Sequence, residues 1–476
     1  MYKLHLILKY LRKRRIAWVS LVAVMLCTTM VLVVISVMGG WLRMFRQSFH
    51  GISGDISISS HSLTGFENYQ QMIAEITKLP DVEAAVPVIR TFGLLKINRG
   101  SPDAVQILGY PIADIGKVNN FPQSLYRQYQ KPLEEGKTPA TTPSFALVDG
   151  VNYEDILPKG KNVRKWPGMI LGAGLANVRK DETGEIVRPS GLLRAFARLE
   201  VMGFSGDEVN LEGARPTPNY YWIVDDSRTQ IWQLDAQSAY VPFDVLQKDL
   251  GMTARETEDP DTKEKIKIPA RTTDVHIKAK EGVDLYKLKP EIEKIVAANG
   301  YPFVTDEDSP VTVQTWEEAN RMWIGAVEKE KTLVTLLFAM ISIVAIFLIF
   351  CIFYMIVVEK TRDIGIIKSV GATGQGVAGI FLGYGLAIGI VGAGLGLLAG
   401  YLIVHNINFL HDQMHRLTGT YMWDPQVYAF DTIPNTMDSK EVYWIVAIAV
   451  IASVLGALVP AIRAARMNPV EALRWE

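Results

Sequence analysis

Apolar residues are gathered into four long blocks that contain no charged side chain. The blocks cover residues 16–42, 332–358, 369–404 and 442–462 and are 27, 27, 36 and 21 residues long. About 20 apolar residues are enough for a helix to cross the roughly 30 Å of hydrocarbon in a bilayer. The pattern therefore predicts four transmembrane helices, at 16–42, 332–358, 374–404 and 442–462.

The first block follows the basic run LRKRR, as the apolar part of a signal peptide would. It is much longer than the roughly 7–15 apolar residues of such a peptide. No convincing cleavage site of the pattern small-x-small follows it. A lipid attachment at Cys27 is disfavoured because the large Leu26 precedes it. We therefore expect an uncleaved membrane anchor.

The orientation follows from the basic residues in the short flanking segments. Segments 1–15, 359–373 and 463–476 contain six, three and three Lys or Arg residues and only four acidic residues in all. Short basic segments stay in the cytoplasm. We expect 1–15 to be a cytoplasmic amphipathic segment, 463–476 a cytoplasmic tail, and 43–331 and 405–441 to lie outside.

The 289 residues of 43–331 are enough for a folded domain with two lobes. Alternation predicts a strand in ISGDISISS, and apolar spacing predicts a helix in the stretch 66–87. Segments 111–165 and 206–218 have the composition of loops. Further strands are predicted at 85–97, 104–109, 197–204, 220–224, 238–242 and 273–278. The fold class is a membrane protein of the α+β type, with a large external α/β domain inserted between the first two spanning helices.

An apolar stripe precedes the second block. The stripe has helical spacing and charges opposite it, which indicates that the second span continues outward as a stalk. Ordinary packing of an anchor explains the same pattern equally well. The stripe comprises Trp316, Ala319, Trp323, Ala326 and Val327.

Overall charge and composition exclude several functions. The formal charge of -1 disfavours nucleic acid as a partner. Cys27 and Cys351 are the only cysteines and both lie in apolar blocks, so a disulfide framework and a cysteine-rich metal site are excluded. No Asp, Glu, Lys, Arg or His lies within a predicted span, which disfavours ion-coupled transport.

Three short motifs suggest chemistry that their context does not support. EEGKT at 134–138 resembles a phosphate-binding loop, but Lys131 stands where the first glycine is needed, so the chain has no ATPase site of its own. HDQMH at 411–415 spaces two histidines as in a zinc helix but lacks a third ligand, and a solvated loop is the default interpretation. The glycine run at 394–399 lies within a span, where a nucleotide-binding turn has no place.

The third predicted span contains two sets of glycines spaced four residues apart. This spacing lets neighbouring helix backbones approach closely within a membrane. The predicted packing positions are Gly385, Gly389, Gly392, Gly396 and Gly400.

The segment EKTRDIGIIKSVGAT, residues 359–373, mixes charges with three isoleucines and ends near a glycine. It predicts a short amphipathic helix, too small to be stable alone, that needs a docking partner. A solvated connector would leave the isoleucines unexplained.

This segment, the Gly-rich span after it and the ending PAIRAARMNPVEALRWE together resemble the MacB/FtsX-like ABC permeases. The stretch ISVMGGWLRMFRQSFHGISGDISISS and the loop WDPQVYAFDTIP are similar to the lipoprotein-releasing (Lol) permeases within that superfamily. The resemblance covers both ends and all spans, and it is diffuse within 110–230.

The resemblance implies a non-catalytic subunit that pairs with a second permease chain, the same or a sister. Each permease docks a separate cytoplasmic ABC ATPase, which binds the ATP and magnesium, so no cofactor or metal is expected in this chain. By position, the helix that couples the ATPase to the permease would contain Glu359, Arg362, Asp363, Ile364, Gly365, Lys368 and Gly371.

The Lol resemblance further implies a bacterial inner-membrane protein that extracts lipoproteins and passes them to a periplasmic carrier. Segment 203–222 is the candidate for gripping that carrier. The alternatives are a MacB-type efflux permease with an adaptor and outer-membrane duct, and an FtsX-type permease that signals to cell-wall hydrolases. A cavity for membrane lipids and lipid anchors would be lined by Met25, Val33, Val37, Met38, Phe45, Phe49, Phe347 and Phe350.

Overall fold

The structure is a computed structural model that describes residues 15–98, 100–140, 142–149, 151, 166–180, 186–189, 191–201, 217–229, 231–258, 265–301, 310–419 and 432–474. The chain divides into two compact units. One unit comprises Met1–Met44, Trp323–Trp423 and Thr432–Glu476, and the other comprises Phe45–Met322 with Asp424–Asp431. We call them the helical unit and the sheet unit.

The helices in chain order are α1 Arg15–Ser53, α2 Tyr69–Ile76, α3 Phe121–Ser124, α4 Lys131–Glu134, α5 Trp232–Gln237, α6 Phe243–Asp249, α7 Leu285–Ala298, α8 Trp316–Ala319, α9 Arg321–Glu359, α10 Thr361–Ser369, α11 Gly374–His405, α12 Ile407–Thr418, α13 Ser439–Arg466 and α14 Pro469–Arg474. The strands are β1 Ile56–Ser60, β2 Val82–Ile97, β3 Asp103–Tyr110, β4 Gly168–Gly172, β5 Arg179–Lys180, β6 Ile186–Val187, β7 Phe196–Val201, β8 Thr217–Ser227, β9 Ser238–Pro242, β10 Arg255–Glu258, β11 Lys265–Ile268, β12 Asp274–Ala279 and β13 Val311–Thr315.

Four of the described helices, α1, α9, α11 and α13, are long and apolar enough to cross a membrane. The expectation of four such helices is therefore confirmed. Both α1 and α9 have 39 residues and run well past the charge-free blocks from which they were predicted. Charged residues end the contact with hydrocarbon, but they do not interrupt a helix whose backbone bonds are internal.

Helix α11 packs closely against α13 along one glycine face. A Cβ added at Gly385 would lie 2.7 Å from the Cβ of Ala457, and one at Gly389 would lie 3.0 Å from the Cβ of Ser453. Contacts this short leave no room for a methyl group, so glycine is what allows the two helices to pack at this distance.

A second glycine face of α11 packs against α1. Here too an added Cβ would clash, at Gly392, Gly396 and Gly400, with the side chains of Val24, Thr28 and Leu32. The hydroxyl of Thr29 also donates to the carbonyl of Gly396 at 3.1 Å. Helix α11 is therefore the central helix of the unit, with α1 and α13 on two different faces.

The sheet unit contains a nine-stranded sheet in the order β13-β1-β12-β2-β3-β9-β4-β8-β7. Strand β2 also pairs with β7, through Gly93 to Ile97, so that six of the strands form a closed ring. The pairs β3–β9 and β4–β8 are parallel, and the other pairs in this sheet are antiparallel.

The 16-residue strand β2 belongs to both parts of this sheet. Its first half pairs with β12, and its second half pairs with β3 and β7. The strand therefore ties an open part and a closed part into one sheet. Ile56, Ile277 and Leu199 are among the fully buried residues of the larger core.

Several expectations for the sheet unit need correction. The helix predicted over 66–87 is restricted to Tyr69–Ile76, because β2 already begins at Val82. The loop predicted over 111–165 contains α3, α4 and two single turns, at Ile115–Lys117 and Tyr126–Gln130. Most of 206–218 lies outside the described residues.

Buried carboxylates surround the end of β8. Burial raises the pKa of Asp225 to about 6 and that of Asp235 to about 7. The hydrogen bonds that each carboxylate accepts lower its pKa, but their effect is smaller than that of burial. Asp235 accepts from the backbone N–H and the hydroxyl of Thr229, at 2.9 and 2.8 Å. Between them in sequence, Asp226 forms an ion pair with Arg188 at 3.0 Å.

These raised pKa values predict that the β8 region is more stable in acid. A carboxyl whose folded pKa exceeds its unfolded value binds more protons when folded. The stability that these two groups contribute is therefore fully present below about pH 4 and is lost as the pH rises through 6 to 7. We expect hydrogen exchange in Thr217–Ser227, corrected for intrinsic rates, to be faster at pH 8 than at pH 5. Asp235→Asn should reduce this difference, and an unchanged pH dependence in the variant would contradict the assignment.

The glycine face toward α1 predicts a position-specific effect of one methyl group. Gly396→Ala places its Cβ 2.7 Å from Thr28 and 2.8 Å from the carbonyl of Met25, and overpacking of this kind costs about 1–3 kcal/mol. Gly394→Ala is the matched control, since nothing lies within 4 Å of its added Cβ. We expect a lower melting temperature of the detergent-solubilised chain for Gly396→Ala alone. Equal melting temperatures for the two variants would refute the packing interpretation.

Candidate functional site

The candidate site is the short helix α10 between the second and third spanning helices. Gly371 follows it with a φ of +103°, a conformation that glycine adopts without strain. The N–H groups of Gly371 and Ala372 return to the carbonyls of Lys368 and Ile367 and so close the helix end. Thr373 then caps α11 by accepting a hydrogen bond from the N–H of Gly376. The sequence GAT thus ends one helix and starts the next within three residues.

One face of α10 packs into the helical unit. Thr361, Ile364 and Gly365 are buried there, and Ile364 is only 3% exposed. Ile364 belongs to a core cluster that includes Phe381 of α11 and Ala461 of α13. This apolar contact holds the helix against the ends of the spans.

Lys368 attaches α10 to the end of the fourth spanning helix. Its ammonium group donates to the carbonyls of Ala465 and Met467, at 2.8 and 2.6 Å. Carbonyls at a helix C-terminus lack partners within the helix and carry partial negative charge, so a lysine is well suited to this position. The helix is therefore joined to α13 by a charge-assisted contact as well as by apolar packing.

The opposite side of α10 presents apolar side chains outward. Ile366 is 48% exposed and Val370 is 83% exposed. Arg362 is also exposed, and Lys360 forms an ion pair with Asp363 one turn along. Ile366 and the adjoining Val370 thus form a short exposed apolar stripe beside charged residues.

A small cleft lies between α10 and the beginning of α11. Its wall is largely apolar, with one ion pair at the side. The lining residues are Lys360, Asp363, Ile364, Ile367, Val377, Ile380 and Phe381.

The seven residues predicted to couple to a partner divide into two groups. Ile364 and Gly365 are buried, and the half-buried Lys368 is bonded to the end of α13, so these three residues position α10 within the chain itself. Arg362 and Glu359 are exposed, Asp363 is half-buried, and Gly371 lies in the exposed turn. Of the three isoleucines, the predicted coupling set includes only Ile364, which is buried, whereas Ile366 is the one that is largely exposed.

Val370 and the contact between the two spanning-helix ends were missed by the sequence reasoning. Arg463 of α13 places its guanidinium 4.7 Å from the ring centre of Tyr354 in α9 and donates to the tyrosine hydroxyl. No local pattern connects residues 109 positions apart. The spacing of Ile366 and Val370, four residues apart, was a signal that could have been used.

The residues predicted to line a lipid cavity are only partly located together. Met25, Val33, Val37 and Met38 are half-buried on α1, and Phe347 is 62% exposed on α9. The rings of Phe347 and Phe350 are 6.0 Å apart. The first two spanning helices approach each other where the thiol of Cys27 lies 3.9 Å from the hydroxyl of Ser342. The side chains of Phe45, Phe49, Trp323 and Val327 lie outside the described residues.

The short motifs have no catalytic geometry. Gly136 lies in a turn after the single-turn helix α4 rather than in a strand–loop–helix unit. His411 and His415 lie on helix α12, so the expectation of a loop there was wrong. Within the described ranges, no group of three metal-binding side chains is present. Of the carrier-gripping candidate 203–222, only the part from 217 is described, as strand β8.

Comparisons with known proteins agree with the resemblance seen in the sequence. Residues 335–469 match the family model of the FtsX-like permease C-terminal domain. The lipoprotein-releasing system transmembrane protein LolC of Neisseria meningitidis serogroup B is 24% identical, over 98% of both chains. LolE of Haemophilus influenzae is 21% identical, over 77% of this chain and 84% of its own.

Among solved structures, the periplasmic region of MacB from Actinobacillus actinomycetemcomitans aligns with 57% of this chain and 94% of its own length. The TM-score is 0.30 and the identity is 7%. The matched residues include α10, α11, α13 and the part of α9 from residue 335 onward. Residues 335–469 therefore resemble the C-terminal part of FtsX-like permeases, and the chain as a whole is a membrane protein similar to LolC over nearly its whole length.

Proposed function

We propose that this chain is the permease subunit of an ATP-driven transporter that extracts lipoproteins from the bacterial inner membrane for a periplasmic carrier. The observation that carries the proposal is helix α10, which is attached to α13 on one side and exposes Ile366 and Val370 on the other. The lipoprotein part of the proposal is supported by the similarity to LolC and LolE.

The geometry supports a mechanical role for the subunit. A partner ATPase would cover the outward side of α10, where burying Ile366 and Val370 supplies apolar contact area. Movement of the ATPase would displace α10, and Lys368 would carry the displacement to the end of α13. Nucleotide and magnesium would be held by the ATPase, and the second permease chain would complete the transporter.

The outward side of α10 predicts a variant that loses the ATPase but stays folded. Ile366→Asp places a charge on a surface that the partner must desolvate. Hot-spot changes cost about 2 kcal/mol or more, which is about thirtyfold or more in affinity. Ile366→Leu is the volume-conserving control and should bind normally. Co-purification of the cognate ATPase with the detergent-solubilised chain measures the effect, and thermal stability confirms that the permease is folded.

Ile364→Asp serves as the contrasting variant, because Ile364 is buried within the chain itself. It should lower the melting temperature of the permease as well as ATPase binding. If Ile366→Asp retains the ATPase at wild-type level, the outward side of α10 is not the docking surface.

Transfer of a lipidated substrate tests the transport activity directly. The chain, its ATPase and any sister permease are reconstituted in vesicles with a triacylated lipoprotein, and release to a soluble periplasmic carrier is followed. We expect release that requires ATP and is lost with Ile366→Asp. ATP hydrolysis without release would instead favour a signalling or efflux permease.

A further inference from the structure

Helix α12, Ile407–Thr418, follows the third spanning helix almost without a break. Only Asn406 separates it from His405, the last residue of α11. Asn408 fixes the beginning of α12 to the later segment of the same unit. Its amide donates to the carbonyl of Ile433 at 3.0 Å, and its side-chain oxygen accepts from the N–H of Ile433 at 2.9 Å.

The two faces of α12 are reversed relative to a helix on a water-exposed surface. Leu410, Met414 and Leu417 lie on one face, at spacings of four and three residues, and are 41%, 43% and 85% exposed. Asn408 and His411 lie on the side toward the protein, where Asn408 is paired with Ile433 and the side chain of His411 is only 14% exposed. In a soluble protein the apolar face is the one that packs inward.

The apolar face is continuous with the lipid-facing side of α11. Large side chains are exposed along the last turns of that span, among them Leu398, Tyr401 and Leu402, at 56%, 51% and 53%. The 32 residues of α11 measure about 48 Å, more than the roughly 30 Å of hydrocarbon. Helix α11 therefore extends beyond the hydrocarbon, and α12 follows at one of its two ends.

Aromatic side chains indicate the level of the membrane at which this end lies. Tyr443 and Trp444, at the beginning of the fourth spanning helix, are 70% and 65% exposed. Helices α11 and α13 are antiparallel, because Gly385 contacts Ala457 while Gly389 contacts Ser453. These residues and Tyr401 are therefore near the same end of the bundle. Exposed Tyr and Trp are enriched where a membrane meets water.

We propose that α12 lies in the membrane surface at this end of the bundle, with Leu410, Met414 and Leu417 inserted among the lipids. A helix of this kind sinks its apolar face about 5–10 Å into the boundary between headgroups and acyl chains. Asp412 and Arg416 then lie at or above the headgroups, where water and lipid phosphate accommodate their charges. The helix would fix the depth of the third and fourth spans in the bilayer. This proposal does not depend on the cargo of the transporter.

Spin labels on the two sides of α12 test the proposal. The background is the full chain with Cys27→Ser and Cys351→Ser, assembled with its ATPase in vesicles of phosphatidylethanolamine and phosphatidylglycerol. Met414→Cys and Leu417→Cys report on the apolar face. Asp412→Cys is the matched control on the same helix, with a side chain that is 66% exposed. Collision with oxygen, which concentrates in lipid, is compared with collision with a water-soluble nickel chelate.

We expect the ratio of oxygen to nickel collision to be severalfold higher at positions 414 and 417 than at 412. Equal ratios at all three positions would overturn the proposal, because the apolar face would then be in water. Immobilised labels at 414 and 417 that neither reagent reaches would also overturn it, since another protein would then cover the face. Retained ATPase binding in each labelled variant shows that the assembly is intact.

Discussion

Close approach of helix backbones is the constraint on which the helical unit depends. Lipid tails are as apolar as leucine, so spanning helices gain little from burying apolar area and instead associate through tight packing. Helix α11 meets this requirement twice, with Gly385 and Gly389 against α13 and Gly392 and Gly396 against α1. A single central helix thereby positions two others. The candidate site is built on the ends of these same helices.

The site combines two kinds of contact that differ in how strongly they depend on orientation. Ile364 contributes apolar packing, which resists separation of α10 from the spans in any direction. Lys368 contributes charge-assisted hydrogen bonds to two carbonyls, which depend on orientation. Together they make α10 an extension of α13 rather than a flexible connector. Ile366 and the adjoining Val370 are therefore exposed on a helix whose other side is anchored to the spanning helices.

Much of the helical unit could be predicted from the sequence, because a helix that crosses hydrocarbon needs a continuous run of about 20 apolar residues without charges. Four charge-free blocks were sufficient to locate the spans, and the glycine spacing identified α11 as a packing helix. The faces of α10 could not be assigned in the same way. Whether Ile364 or Ile366 points inward depends on the direction from which α11 and α13 approach, and no local pattern records that direction.

The sheet unit and α12 show two further limits. Closure of the ring by β2 and β7 joins residues about 100 positions apart, and alternation within a strand carries no information about its partner. In α12 the interpretation as a loop gave too much weight to the polar residues His411, Asp412 and His415. The spacing of Leu410, Met414 and Leu417 is that of a helix. The exposure of these residues can be interpreted only together with the exposed side of the adjoining helix α11.

The turn between α10 and α11 has a mechanical consequence. Val370, Gly371 and Ala372 are the only residues between the end of α10 at Ser369 and the cap of α11 at Thr373. Hydrogen bonds from Gly371 and Ala372 back into α10 leave this link no slack. If α10 moved, this short turn would pass the movement directly to the beginning of α11. A few flexible residues inserted into this turn would weaken the mechanical connection between α10 and α11 while leaving both helices intact.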